Sequence, residues 1–297
     1  MTTASIREAV ASLNGIEIHY AERGTGELVI FLHGFPEFWY AWRRQLEAIG
    51  ESHHAVAVDM RGYNLSSKPH GTKPYRAADV AKDIVALADH LGARKFSLVG
   101  HDWGGVIAWR IAADYPDRLD KLVIINAPQP AIMKRELLHN SKQRRASSYI
   151  LFLRMPGAAR VLSAFNFKLL RPMLERGLRK GYFDKHDVDE YLKAWSQPGA
   201  IRGSVAYYKS VSAVSVFRND KGIDERRTSA PTLVIWGERD RYLLPGLLDG
   251  LDKYVDDLTV HRVPDASHWI VHEKPALINS MIRGFLSGHR DVDQKFS

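Results

Sequence analysis

The sequence predicts an α/β fold, with a mostly parallel sheet covered by helices on both faces. Short apolar runs alternate along the chain with amphipathic helical patterns, which is typical of such sheets. A glycine-rich corner at 100–104 joins one apolar run to a helical pattern. From 131 to 228 the strand patterns stop and helical spacing takes over. We therefore predict a core formed by residues 1–130 and 229–297, with residues 131–228 as an inserted helical cap.

The strand patterns of the core come in two groups. Those before the cap are Ile16–Tyr20, Leu28–Leu32, His54–Asp59, Phe96–Val99 and Leu122–Ile125, and those after it are Pro231–Gly237 and Leu258–His261. Ile16–Tyr20 alternates apolar and polar residues, so we expect a half-exposed strand, whereas most of the others are continuous apolar runs typical of buried strands. Helical spacing predicts amphipathic helices at 76–91 and 276–286.

The composition indicates an ordinary globular protein. The chain has 297 residues, of which 45% are hydrophobic and 26% are charged. Cysteine is absent, which excludes disulfides and thiol chemistry. No apolar stretch approaches the roughly 18 residues that a membrane span needs, and the first residues lack a signal-peptide pattern. We expect a cytoplasmic protein without a membrane span, and a homo-oligomer is compatible with the sequence.

Positive charge is concentrated in the predicted cap. The whole chain carries a net charge of +8, but residues 131–228 hold 20 Lys and Arg against 9 Asp and Glu. A basic surface can attract nucleic acid or acidic membrane, yet no nucleic-acid-binding motif accompanies it, so we predict no nucleic-acid partner. We interpret the charge as a solvated face, with the steering of anionic substrates as the alternative.

The glycine-rich corner carries an aspartate at a catalytic position. Gly100-His-Asp-Trp-Gly104 has the strand–turn–helix context of a G-x-S-x-G nucleophile elbow, with Asp102 in place of the serine. The tight turn favours glycine because a Cβ at either flank would clash. Asp102 is expected at the N-terminus of the following helix, where the partial positive charge stabilises a carboxylate.

Aspartate at this position changes the chemistry that the site can perform. A carboxylate is already ionised at neutral pH and is a weak nucleophile. It suits displacement at a saturated carbon that carries a strained or good leaving group. The product is an ester of Asp102, which an activated water must then hydrolyse. The alternative interpretation is an ordinary N-cap aspartate without catalytic function.

Two later strand ends supply candidate partners for Asp102. Asp240 follows Pro231–Gly237 and His268 follows Leu258–His261, and the order Asp102, Asp240, His268 is the nucleophile–acid–His order of α/β hydrolases. We expect His268 to take a proton from water and Asp240 to orient the imidazole. Glu238 and Asp265 are the rival acids.

Other polar residues near strand ends receive supporting roles. His33 and Asn126 each follow a buried strand, where ligands bind in parallel sheets. We interpret His101 as buried support rather than as a base. His268 and His272 are four residues apart but lack the His-Glu-x-x-His pattern, so no metal site is predicted.

Four segments resemble the epoxide hydrolases of the α/β-hydrolase fold. They are His33-Gly-Phe-Pro-Glu37, Gly100-His-Asp-Trp-Gly-Gly105, Trp236-Gly-Glu-Arg-Asp240 and the His268 segment. The resemblance implies that Asp102, Asp240 and His268 are catalytic and that the backbone N–H groups of Phe35 and Trp103 form the oxyanion hole. It implies an apolar epoxide and water as reactants, Phe35 and Trp103 as substrate contacts, and no cofactor.

The resemblance also implies two cap tyrosines that contact the substrate and stabilise the epoxide oxygen. Tyr149 matches the first by position, and Ala206-Tyr-Tyr-Lys209 resembles the second motif, with Tyr208 as the expected donor and Tyr207 as its rival. Phenolic O–H donors stabilise the alkoxide that ring opening develops. The alternative is that both are packing tyrosines.

The aspartate nucleophile is shared with haloalkane and haloacetate dehalogenases, so the core leaves the substrate open. Haloacetate dehalogenases carry Arg after the nucleophile, where this chain has Trp103. Haloalkane dehalogenases share the Trp. A non-enzymatic receptor on the same fold is a third hypothesis.

One loop departs from the epoxide hydrolase pattern. The family usually has Gly-Tyr-Gly after an Arg, whereas this chain has Gly62-Tyr-Asn64. Asn tolerates the left-handed conformation that such a loop needs.

Overall fold

The computed structural model describes residues 5–211 and 226–288, which contain one eight-stranded sheet. Its strands are β1 (Arg7–Leu13), β2 (Ile16–Arg23), β3 (Leu28–Leu32), β4 (His54–Val58), β5 (Phe96–His101), β6 (Leu119–Ile125), β7 (Thr232–Gly237) and β8 (Leu258–Val263). The spatial order is β1-β2-β4-β3-β5-β6-β7-β8. Neighbouring strands from β4 to β8 pair in parallel, which confirms the predicted mostly parallel sheet.

Strand β1 was not predicted, and it pairs antiparallel with β2. The two strands are joined at Asn14 and Gly15, which have φ values of 52° and 75°. Positive φ at both residues is typical of a two-residue hairpin turn, and Asn-Gly is its strongest sequence signal. That dipeptide therefore could have revealed the hairpin. β2 also pairs antiparallel with β4, so the sheet is mixed at this edge.

Helices flank the sheet and lie in the segments that connect its strands. Within the described residues they are α1 (Arg43–Ile49), α2 (Ala77–His90), α3 (Trp103–Asp114), α4 (Pro130–His139), α5 (Ser141–Ala146), α6 (Tyr149–Arg154), α7 (Ala158–Phe167), α8 (Arg171–Lys180), α9 (Lys185–Ser196), α10 (Ala200–Ser210), α11 (Ile270–Glu273) and α12 (Pro275–Leu286). Helices α2 and α3 pack together over one face of the sheet, and α1 packs against α12 over the other. None of these helices is long and apolar enough to cross a membrane.

Successive side chains along a strand point alternately into two hydrophobic cores, one on each face of the sheet. In β3, Ile30 and Leu32 face the core beneath α2 and α3, while Val29 and Phe31 face the core beneath α1 and α12. All four side chains are buried, which explains why β3 is a continuous apolar run. The predicted helices at 76–91 and 276–286 correspond to α2 and α12 within one residue at each end.

The described part of the connection from β6 to β7 contains seven helices, α4 to α10. No strand occurs between Pro130 and Ser210, as the helical spacing predicts. Residues 212–225 of the predicted cap lie outside the described residues. The division of the chain at 131 and 228 into a core and a cap stays a prediction. Helices α6, α7 and α9 pack against α10, so the connection forms a helical layer.

Two local expectations were wrong. The helical spacing predicted from 131 to 228 does not hold at Phe165 and Phe167, because the helix breaks at Ala164 and residues 165–167 have positive φ. This break lets Phe167 be buried while Phe165 faces solvent. Strand Ile16–Tyr20 is predicted to be half-exposed, but Ile18, His19 and Tyr20 are all buried, because β2 lies between β1 and β4. The buried ring nitrogens of His19 pair with Asp59 and Glu8.

Candidate active site

The candidate site lies at the carboxyl ends of the parallel strands. Strands β3, β5, β6, β7 and β8 all end at this edge, because parallel strands share one direction. The loops that follow them carry, in strand order, Phe35, Asp102, Asn126, Asp240 and His268. Residues more than 160 positions apart in the chain are thereby brought together, as the contact between the His101 ring and the His268 carbonyl shows.

Asp102 occupies a strained turn between β5 and α3. Its φ of 50° and ψ of −119° lie outside the regions that most residues adopt. The flanking glycines make the turn possible. A Cβ on Gly100 would lie 2.5 Å from the Gly104 carbonyl oxygen, and one on Gly104 would lie 2.0 Å from the Leu32 oxygen. The steric reason predicted for these glycines is confirmed.

The Asp102 carboxylate does not cap the helix that it precedes. Asp102 stands at the N-cap of α3, as expected, but its side chain accepts no hydrogen bond from the first turn of α3. Instead Oδ1 accepts a hydrogen bond of 2.8 Å from the backbone N–H of Phe35. The interpretation of Asp102 as an ordinary N-cap therefore fails. A Cβ on Gly34 would lie 2.5 Å from the Asp102 Cβ, so glycine makes this approach possible.

His268 lies between two carboxylates. Its Nδ1 is 2.7 Å from Oδ2 of Asp240, and its Nε2 is 3.7 Å from Oδ2 of Asp102. The shorter distance is a hydrogen bond, and the longer one leaves Asp102 free of the imidazole. Asp240 is fixed by the backbone N–H groups of Tyr242 and Leu243, which donate to Oδ1, and by the Asn126 amide, which donates to Oδ2.

The buried charges around His268 favour its protonated form. Burial by itself lowers the pKa of His268, but the negative charges of Asp240 and Asp102 outweigh burial and raise the pKa to about 9. For Asp240, burial raises the pKa, while the charge of His268 and its hydrogen bond lower it overall. The free site at neutral pH therefore holds a cationic imidazole between two carboxylates.

The rival acids lie away from His268. Glu238 pairs with Arg262 at 3.1 Å, and Asp265 pairs with Lys274 at the surface. Neither side chain reaches the imidazole, because each points outward from its loop toward a cation. Among the three candidate acids, the structure brings only Asp240 to His268.

A cavity of about 470 Å³ opens in front of Asp102. Trp103, Tyr149 and Tyr208 line it together with Asp102. Apolar side chains form much of the remaining wall, among them Val106, Met133, Leu137, Ile150 and Leu243. The cavity therefore suits an apolar small molecule held against one carboxylate and two phenols.

The neighbouring tyrosines Tyr207 and Tyr208 point to different places. The hydroxyl of Tyr207 donates a hydrogen bond of 2.9 Å to the Arg61 carbonyl, and Tyr207 does not line the cavity. Tyr208 packs edge-on against Phe35 and Trp103, with ring centroids 5.4 Å and 5.1 Å away, and against Tyr149 at 6.2 Å. The structure therefore places Tyr208, and not its rival, beside Tyr149.

Both cavity tyrosines remain protonated over the physiological range. Burial raises the pKa of Tyr149, and the charge of Asp102 adds to the increase. Burial likewise raises the pKa of Tyr208 well above its usual value. Each phenol can therefore donate a hydrogen bond to an oxygen in the cavity.

The sequence of the chain is similar to those of known proteins. A sequence model described as the alpha/beta hydrolase fold matches residues 27–275. The chain belongs to the α/β-hydrolase fold family. The AB hydrolase superfamily protein YfhM of Bacillus subtilis is 35% identical over 277 residues, which are 92% of this chain and 95% of that protein. Epoxide hydrolase 4 of Mus musculus is 34% identical, covering 92% of this chain and 77% of that protein.

Solved structures agree with the sequence matches. The crystal structure of a Bacillus megaterium epoxide hydrolase in complex with an inhibitor is 36% identical, with a TM-score of 0.89. The match covers 94% of this chain and 100% of that one. The chain is thus an epoxide-hydrolase-like α/β hydrolase, as the four sequence segments predict.

A buried network behind His268 escaped the sequence analysis. Glu37 accepts hydrogen bonds from the rings of His101 and His272 and from the Tyr191 hydroxyl on α9. The other ring nitrogen of His101 contacts the His268 carbonyl at 2.9 Å, so His101 is buried support, as expected. Glu37 belongs to the loop after β3, but nothing in the sequence pairs it with residues over 200 positions away.

Two residues in loops that follow strands have structural roles. His33 is buried, its Nδ1 contacts the Gly34 carbonyl and its Nε2 accepts from the Met60 N–H. Asn64 has a φ of 37°, which confirms that Asn adopts the left-handed conformation in this loop.

In residues 5–211 and 226–288, no group of three or more His, Asp or Glu side chains is arranged to hold a metal ion.

Proposed function

We propose that the chain hydrolyses epoxides to vicinal diols through a covalent ester on Asp102. The observation that carries the proposal is the placement of two protonated tyrosines, Tyr149 and Tyr208, in one cavity with a carboxylate that faces a histidine. An alkoxide leaving group needs a proton donor such as a phenol, whereas a halide leaves as a stable anion without taking a proton. The epoxide hydrolases among its relatives support the same chemistry.

In the first step, Oδ2 of Asp102 attacks one epoxide carbon. A new C–O bond forms, the strained C–O bond breaks, and its electron pair stays on the epoxide oxygen. Tyr149 and Tyr208 donate hydrogen bonds to this oxygen, and one of them gives up its proton. The hydrogen bond from the Phe35 N–H holds Oδ1, so Oδ2 is the oxygen left to attack.

In the second step, water attacks the ester carbon of Asp102. His268 takes a proton from this water, and Asp240 stabilises the resulting imidazolium. Negative charge develops on Oδ1, where the Phe35 N–H already donates, and we assign the Trp103 N–H as the second donor. Collapse breaks the ester C–O bond, and the departing oxygen takes the second proton of the water, which releases the diol and the Asp102 carboxylate. The proton on His268 returns to the tyrosinate.

A substrate panel tests the proposal. The full chain is assayed with a styrene-oxide-like epoxide, a bromoalkane and a haloacetate of similar size. We expect diol from the epoxide and no halide from the other two, because the cavity tyrosines stabilise an oxygen leaving group. Halide release without epoxide turnover would identify a dehalogenase. Tight binding without turnover of any compound would identify a receptor.

Removing either cavity hydroxyl is expected to slow ring opening. Tyr149→Phe and Tyr208→Phe each lose one donor to the developing alkoxide, which costs about 100-fold in the alkylation rate. Single-turnover measurements of epoxide consumption give this rate directly. The matched variant is Tyr207→Phe, which loses its bond to the Arg61 carbonyl and is expected to lower stability while the rate stays near normal. A rate loss confined to Tyr207→Phe would reverse the assignment.

The pH dependence of ester hydrolysis is expected to differ from that of the free site. His268 must be neutral to take a proton, so the hydrolysis rate rises with pH to a plateau. Formation of the ester removes the Asp102 charge, which helps to raise the pKa of His268 to about 9. The pH at which the hydrolysis rate reaches half of its maximum should therefore lie below about 9. Asp240→Asn should lower this pH further. Rapid-quench single turnovers across the neutral and alkaline range measure it, and a pH-independent rate contradicts the role of His268.

A further inference from the structure

The segment Tyr149–Lys180 carries large apolar side chains that face solvent. Phe165 is 87% exposed and Leu151 is 71% exposed. The other exposed apolar residues of the segment are Met155, Val161, Leu169 and Leu178. The segment is already attached to the core by a separate buried set, namely Leu153, Ala158, Leu162, Phe167, Leu170 and Leu174. Packing against the core therefore does not account for the exposed set, and exposed apolar residues concentrated in one segment indicate an interaction surface.

The same segment is strongly basic. From 149 to 180 the sequence holds seven Lys and Arg residues and one acidic residue, Glu175. Four of the cations are exposed and form no ion pair with another described residue: Arg160, Lys168, Arg179 and Lys180. Arg154 and Arg171 donate to backbone carbonyls, and Arg176 pairs with Glu273. The exposed surface of this segment, which we call the basic apolar face, therefore combines apolar side chains with cations.

The backbone holds Phe165 outward at a conformational cost. Phe165, Asn166 and Phe167 all have positive φ, which is uncommon for aromatic residues. Phe167 packs its ring against Trp195, and Arg171 donates to the Asn166 carbonyl, so contacts on either side of the turn maintain it. The turn therefore presents the Phe165 ring to solvent in a defined position.

The basic apolar face adjoins the cavity. Leu151 belongs to the face and also lines the cavity, and Arg154, one turn later, lines it as well. Arg154 ties α6 to α10 through the carbonyl of Tyr208, a cavity residue. If this face is bound to another surface, an apolar compound that leaves that surface would therefore be next to the cavity.

We propose that the basic apolar face binds the surface of an anionic phospholipid bilayer. Phe165 and the aliphatic side chains enter the interface, and the four exposed cations contact lipid phosphates and carboxylates. Charge selects this occupant over a second copy of the chain, because a two-fold interface would place two strongly basic faces together. The proposal does not depend on which reaction the cavity performs.

Vesicle cosedimentation of the full chain tests the proposal. We expect binding to phosphatidylcholine vesicles that contain about a third phosphatidylserine, weak binding to phosphatidylcholine alone, and loss of binding as salt is raised. Lys168→Gln with Arg179→Gln should weaken binding about 25-fold, since each cation near an anionic surface contributes about fivefold. Phe165→Asn should weaken it about tenfold, and Asn suits the positive φ at this position.

A matched variant and a mass measurement complete the design. Lys95→Gln with Lys253→Gln removes the same charge from exposed positions outside the segment and should bind as the unaltered chain does. All variants should retain turnover of a soluble substrate, which shows that they fold. Equal binding to neutral vesicles, or unchanged binding by the Phe165 and Lys168/Arg179 variants, overturns the proposal. So does a dimer in solution that Phe165→Asn dissociates.

Discussion

Asp102→Asn is expected to reduce epoxide turnover by about 10⁴-fold or more. The amide keeps the size of the carboxylate and can still accept the hydrogen bond from the Phe35 N–H. It carries no negative charge, however, and cannot form the ester, so both steps of the proposed reaction are lost. Initial rates of diol formation at saturating epoxide measure the loss. Thermal unfolding of the same samples shows whether the strained turn at Asp102 survives.

Asp265→Asn is the matched control for this change. Asp265 is an exposed carboxylate that pairs with Lys274 and lies outside the cavity. We expect its removal to leave turnover close to normal, since surface ion pairs contribute little. If Asp102→Asn retained a substantial fraction of the turnover while folded, the nucleophile would have to be another group, and the covalent mechanism would be wrong.

His268→Gln is expected to separate the two steps. Asp102 can still attack the epoxide, but no base activates the water, so the ester accumulates. Steady-state turnover should fall by about 10⁴-fold, after a burst of one equivalent of epoxide consumed. Intact-mass analysis should show the protein heavier by the full mass of the epoxide, because ring opening adds the whole molecule. A digest should locate the added mass on the peptide that contains Asp102.

The added mass also separates the alternatives. A dehalogenase would add the substrate without its halogen, whereas an epoxide hydrolase retains every atom of its substrate. His90→Gln is the control, since His90 is exposed at the end of α2, and it should neither trap ester nor slow turnover. Unchanged steady-state diol formation by His268→Gln would contradict the proposed base.

Much of the site follows from local sequence patterns. The glycines at 100 and 104 permit a turn that residues with a Cβ would block, and this requirement is visible in the chain itself. Asp240 and His268 come after recognisable strands, and parallel strands end at one edge. Their meeting could therefore be predicted, although the 2.7 Å and 3.7 Å contacts of His268 could not.

Several features of the site can be decided only from the folded structure. Tyr207 and Tyr208 are adjacent and chemically identical, and only the position of α10 decides that one bonds to Arg61 while the other lines the cavity. Likewise, Glu238, Asp240 and Asp265 all lie near strand ends, but in the folded chain Glu238 pairs with Arg262 and Asp265 with Lys274, while Asp240 contacts His268. The Glu37 network joins four distant elements and has no local signal.

The amino-acid sequence by itself determined the alternation of strands and helices, the turn at Asp102 and the order of the candidate catalytic residues. These features depend on periodicity, on steric demands at glycine and on positions along the chain, all of which are local. Only the tertiary structure decided which tyrosine faces the cavity, which carboxylate holds His268 and that the turn at residues 165–167 presents Phe165 to solvent. Those outcomes depend on contacts between distant segments, and the packing of whole elements sets them.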